Sequence, residues 1–131
     1  MKCKLALVAK EVIISHNTGV PSAINIMEGI QASGFPLLLQ EISLLTVWAK
    51  DQGDADEFAG LMKVTVGNIE LVKEQMTIAF NGKDVARNVA TFQGLVLPGP
   101  GNLDFLCEFP GTSVTCTVIV SAVGKVESKT A

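Results

Sequence analysis

The sequence predicts an all-β domain: an antiparallel β-sandwich of about seven to eight strands with an immunoglobulin-like or jelly-roll-like topology. Three observations lead there. Segments rich in Val, Ile, Thr and Leu recur along the chain, separated by Gly, Pro and Asn. No stretch sustains the apolar period of a helix. No strand–helix alternation is visible, so a parallel sheet with crossover helices is not expected.

Taken in order, Lys2 to Ser15 reads as one long strand. Its apolar positions run Leu5, Leu7, then Val12, Ile14, which predicts one switch of parity and a bulge near Glu11. His16-Asn17-Thr18-Gly19 is a turn, Ser22 to Met27 a short strand, and Glu28 to Gly34 a loop with room for one helical turn. After Phe35-Pro36 the longest apolar run, Leu37 to Ala49, is the candidate central strand. Asp51 to Asp56 forms an acidic loop. Within 54–63 two readings compete. Asp54-Ala55-Asp56-Glu57 resembles a helix start with a capping box, with Phe58, Leu61 and Met62 on one face. The continuation Val64-Thr65-Val66 favours a strand from Phe58 to Val66. Gly67-Asn68 then turns into Ile69 to Phe80. Asn81-Gly82 is a hairpin signal, because both residues tolerate positive φ. Val85 to Leu97 follows, ended by Pro98-Gly99-Pro100-Gly101.

The last hairpin can be paired residue by residue. A turn at Gly111-Thr112 sets Phe109 against Val114, Cys107 against Cys116, Phe105 against Val118 and Leu103 against Val120. The opposite face pairs Glu108 with Thr115, Leu106 with Thr117 and Asp104 with Ile119. One face is apolar and the other mixed, as a half-buried antiparallel pair requires.

The 131 residues suit one domain, 1–131, with the polar stretch 124–131 expected to fray. The hydrophobic fraction is 48% and the charged fraction 18%, against a typical ~25%. Mean hydropathy is +0.41. So few polar residues make a covered apolar face plausible and point to a homo-oligomer. Net charge is −3 with no cluster of Lys or Arg, which argues against nucleic acid as a partner. The apolar stretch Leu5 to Ala9 is too short for a secretory signal, and no run is long enough for a membrane span. Three cysteines, an odd count without C-x-x-C spacing, fit a reducing compartment. The expected location is cytoplasmic, with no membrane association.

Each candidate constellation has a plainer reading beside it. His16, the single histidine, sits in a turn without a nucleophile elbow or a partner acid, so a solvated turn histidine is expected. Asp51, Asp54 and Asp56, with Glu57, are the weak candidates for a calcium site, although they lack the alternating ligands of an EF-hand loop. Cys107 and Cys116, read as directly opposed, are within disulfide reach or are two buried thiols. Trp48, at the end of an apolar strand, is either core, an interface anchor or a sugar-stacking platform. Leu106 and Ile119, on the mixed face of the last hairpin, are the other candidate interaction residues. No cofactor is expected.

From Lys4 to Val123 the chain resembles a group of uncharacterised bacterial β-sandwich proteins known only as a domain of unknown function. The resemblance rests on the long N-terminal strand ending near Ile14, the Ile24-Asn25-Ile26 strand, and Gly34-Phe35-Pro36 leading into a long apolar strand. It also rests on the proline-glycine turn of Leu97-Pro98-Gly99-Pro100-Gly101-Asn102-Leu103-Asp104-Phe105. The group usually opens that last strand with Tyr, where Leu103 stands here. The resemblance implies a sandwich fold and no site residues. Function is therefore ranked from composition: a non-catalytic, self-associating interaction module first, a carbohydrate- or apolar-ligand binder second, a hydrolase last.

Overall fold

β-Branched segments adopt strands and the chain turns where Gly, Asn and Pro cluster, as local preference dictates. The structure is a computed structural model that describes residues 1–123, so the expected fraying of 124–131 lies outside the described residues. Nine strands are present: β1 (Lys2–Ile14), β2 (Pro21–Ile26), β3 (Gly29–Ala32), β4 (Leu37–Ala49), β5 (Glu57–Val66), β6 (Ile69–Ala79), β7 (Val85–Leu97), β8 (Gly101–Phe109) and β9 (Thr112–Ala122). They form a four-stranded sheet, β2-β1-β4-β7, packed on a five-stranded sheet, β3-β9-β8-β5-β6. The fold is a β-sandwich. Every pairing is antiparallel except β3 with β9, which run parallel. Among the described residues no helix is long and apolar enough to cross a membrane.

The core lies between the sheets. Val8, Ile42, Leu44, Trp48 and Phe92 project from the first sheet, and Val64, Phe80, Leu103, Phe105, Cys107 and Phe109 from the second. Two aromatic contacts bridge the layers: Trp48 meets Phe109 edge-on at 5.1 Å, and Phe92 meets Phe105 at 5.7 Å. Gly60 on β5 leaves the space that Phe109 fills, since a Cβ there would lie 2.4 Å from the Phe109 ring. Thus the second sheet closes around a position that no side chain could occupy.

Several expectations are corrected. The segment 28–34 contains a ninth strand, β3, marked only by the buried pair Ile30 and Ala32. A four-residue strand held by a parallel partner leaves little local pattern. The competition within 54–63 resolves as strand from Glu57 onward. The bulge in β1 lies between Cys3 and Leu5, not near Glu11. Parity does not switch after it: Val8 enters the core, while Leu5 and Leu7 lie on the outer side, which is itself apolar. In the last hairpin the turn is Pro110-Gly111, with Gly111 at φ 82°, the proline-then-glycine pattern of a type II turn. The register is therefore displaced: Cys107 faces Val114, and Cys116 faces Phe105. A slip of two residues preserves the faces, so the apolar side was assigned correctly while the pairs were not.

The first sheet is also forked. β1 pairs with β4 only from Lys2↔Ala49 to Ala9↔Ser43. Beyond that level β1 continues against β2 alone, and the start of β4 against β7 alone. Two left-handed residues mark the fork, Asn25 at φ 56° on β2 and Gly94 at φ 74° on β7. Across β4 and β7 the register is kept, but the inward side changes there. Ile42 and Phe92 face the core above it, whereas Leu39, Leu37, Leu95 and Leu97 do so below.

Candidate functional site

The acidic loop after β4 holds the weak metal candidates, and their carboxylates are already engaged. The terminal ammonium of Met1 lies 3.0 Å from Asp51 Oδ2 and also pairs with Asp54 Oδ2. Asp54 Oδ2 additionally accepts the Asp51 N–H at 2.9 Å. Asp56 Oδ1 turns away, accepting the Gly82 N–H at 2.9 Å and the Lys50 ammonium at 3.3 Å. Hydrogen bonding from the terminal ammonium lowers the Asp54 pKa, and Asp54 in turn raises that of the Met1 ammonium. The Gly82 N–H lowers the Asp56 pKa. Among the described residues no group of three or more His, Cys, Asp or Glu is placed to hold a metal. The loop is a local ion-pair network that ties the first residue to the β4–β5 connection.

His16 is exposed in the turn between β1 and β2. Trp48 is not a surface residue: it is fully buried, its indole N–H donates to Thr46 Oγ1 at 2.9 Å, and it offers neither a stacking platform nor an interface anchor. The hydroxyl placed two residues away satisfies its one polar atom, which is why the ring can sit in the core. All three cysteines are free thiols. Burial pushes the Cys107 thiol up to about 11, and also raises Cys3 and Cys116.

Leu106 and Ile119 lie on the outer face of the five-stranded sheet, but they are not neighbours. Leu106 is half-buried in the row Thr115, Leu106, Lys63, Lys73. Ile119, 58% exposed, faces Asn102. Between these rows Thr117 Oγ1 donates to Asp104 Oδ1 at 2.6 Å. That face is a polar surface with isolated apolar residues.

The outer face of the four-stranded sheet differs. Directly opposed residues of an antiparallel ladder share a face. Three successive rows can therefore be read: Leu5, Val47, Arg87; then Leu7, Leu45, Val89; then Ile26, Ala9, Ser43, Thr91. Leu45 and Ala9 are buried yet stand outside the core cluster. Leu5 and Ile26 are 46% and 57% exposed. In the third row the Ser43 and Thr91 hydroxyls bond to each other at 3.0 Å, so even the polar members present little unsatisfied polarity. Four charged residues border the outward rows of this face. Lys2 and Arg87 stand at one end of the strands, Glu11 and Glu41 at the other. The sequence, whose composition makes a covered apolar face plausible, does not separate this face from the core, because its apolar residues alternate with the apolar residues of the core.

The fork forms the second feature, a cleft of about 550 Å³ lined by Lys10, Asn25, Met27, Leu38, Leu39, Gln40, Glu41 and Ile42. Its lining is half apolar and half polar or charged, and it is broadly open to solvent.

By architecture the chain is a two-sheet β-sandwich with one apolar outer face and a cleft at the fork of the same sheet. Compared with models of known families it matches none, and it shows no significant similarity to a curated protein.

Proposed function

We propose that the protein is a non-catalytic interaction module that self-associates through the outer face of its four-stranded sheet. The observation that carries this reading is the contiguous apolar face on which Leu5, Leu7, Val47 and Val89 reach the surface beside the buried Ala9 and Leu45, flanked by Ile26. Water contact with such a surface costs about 25 cal/mol per Å², which a flat partner of the same kind removes on both sides. Charge complementarity names the partner. If two copies pack face to face about a two-fold axis running across the strands, the Lys2 and Arg87 end of one meets the Glu11 and Glu41 end of the other. A two-fold axis along the strands brings like charges together instead. The expected assembly is an isologous dimer. The odd number of thiols supports a reducing, cytoplasmic setting.

The test is sedimentation over a concentration series. Wild-type protein is expected at twice the 13.8 kDa chain mass, and Leu5→Glu or Ile26→Lys should weaken the dimer by roughly tenfold or more. Arg87→Glu should weaken it as well, and Glu41→Arg added to Arg87→Glu should restore it. A protein that stays monomeric at high concentration sinks the reading; a dimer indifferent to these substitutions moves the interface elsewhere.

A further inference from the structure

We propose that the fork in the four-stranded sheet is a binding site for an extended polypeptide segment, which enters between β1 and β4 as an added strand. Below Ala9↔Ser43 the edges of β1 (Lys10–Ile14) and β4 (Leu37–Ile42) turned toward each other have no ladder partner. Main-chain N–H and C=O groups are obligatory hydrogen-bonding groups. A ligand matching two such edges is itself a strand, because only extended main chain presents donors and acceptors on both sides at the spacing of a ladder. An apolar small molecule would satisfy the apolar half of the lining and leave both edges to water.

The geometry of the fork is held in place at some cost. Asn25 stands in the left-handed region, opposite Lys10 if the β1–β2 register is continued, and Gly94 likewise stands opposite Gln40. On each arm the outer pairing is thus interrupted for one position beside the gap and resumes on either side of it. A non-glycine residue in that region stores backbone strain, and strain of this kind gathers at binding sites. Side-chain selectivity follows from the lining. Leu38, Leu39 and Met27 suit apolar residues of the ligand, while Lys10 and Glu41 stand ready for opposite charges on the same segment. The site adjoins the self-association face and shares Glu41 with it, but the two take different occupants. Its ligand is a single strand, whereas that face takes a whole sheet.

The experiment selects binders from a phage-displayed library of random linear peptides of about eight residues, an ordinary strand length. Selection on the wild-type chain is run beside selection on Leu38→Asp and Val96→Asp. Leu38 and Val96 are paired on the same outer side and both are exposed, but only Leu38 lines the cleft. The Val96 variant therefore controls for folding and for self-association. Enriched peptides should lose roughly tenfold or more in affinity on Leu38→Asp and stay within about twofold on Val96→Asp. Replacing a central peptide amide by an ester should cost roughly tenfold. Hydrogen exchange should slow in 10–14 and 37–42 when peptide is bound. The proposal is overturned if no peptide enriches on wild type above Leu38→Asp. It is equally overturned if enriched peptides tolerate the ester and leave exchange in those two segments unchanged.

Discussion

The two outer faces of this sandwich are built on the same strand period and end with opposite surfaces. On the five-stranded sheet Lys63, Thr65, Asp104, Glu108, Thr115 and Thr117 alternate with core residues, so each strand reads polar-out. On the four-stranded sheet the outward positions of β1, β4 and β7 include Leu5, Leu7, Leu45, Val47 and Val89. Strands with apolar residues on both sides resemble those of a sheet covered on both faces. One sheet is finished as a surface and the other as an interior layer. Most of the exposed large apolar residues lie on the four-stranded sheet.

The contrast can be broken first at the core, which both sheets share. Trp48→Ala should cost about 3–5 kcal/mol in denaturant unfolding, because it empties the contact with Phe109. Gly60→Ala should cost about 1–3 kcal/mol or more, since the added methyl meets both the Phe109 ring and the Glu108 carbonyl. The two outer faces then separate. Leu45→Ala should cost about 2 kcal/mol, and more at protein concentrations that favour the dimer. Ile119→Ala on the polar face should stay within about 0.5 kcal/mol at every concentration. If both behave alike, the faces are energetically equivalent and the contrast fails.

Smaller effects sharpen the picture. Ellman's reagent at pH 8 should leave Cys107 unmodified in folded protein and titrate all three thiols after unfolding, given burial of Cys107 and its raised pKa. The Met1–Asp54 pair shapes the pH dependence. The Asp54 pKa is lowered in the folded state, so its contribution is present above about pH 4 and fades as pH falls through the folded value. The Met1 ammonium is raised, so its contribution is full below about pH 8 and fades as pH climbs through the raised value. A melting-temperature profile should therefore sag at both ends, and Asp54→Asn should flatten both sags. A variant with an unchanged profile would show that the pair contributes nothing.

Much of the fold was legible in single residues. Asn81 and Gly82 do adopt positive φ, and Val64-Thr65-Val66 did outweigh the helix signal before it. The errors over which side faces inward share one cause. Inward and outward were inferred from where apolar residues fall, and that inference fails wherever the outer side is apolar too. Leu5 and Leu7 consequently passed for core, displacing the expected bulge to Glu11. For Trp48 the core reading stood beside the surface readings, because Thr46, which satisfies its indole, looks like an ordinary strand threonine. The register of the last hairpin was recoverable, since Pro110-Gly111 is the better turn pair. The fork was not. It depends on Asn25 and Gly94 flanking a gap between strands that are far apart in sequence.

The parallel pairing of β3 with β9 carries a consequence for how the chain reaches this structure. Among the described residues three of the strand pairs, β1–β2, β5–β6 and β8–β9, are hairpins; the others join distant segments, and Gly29 must wait for Ile119. Such a non-local topology places folding in the slow range, roughly milliseconds to seconds, rather than the microseconds of helical bundles. During synthesis the first sheet has all its strands once β7 has emerged, whereas β3 and one edge of β8 stay unpartnered until β9 arrives. The interior-like sheet is thus assembled first, and its apolar side is in water for as long as the other sheet remains open.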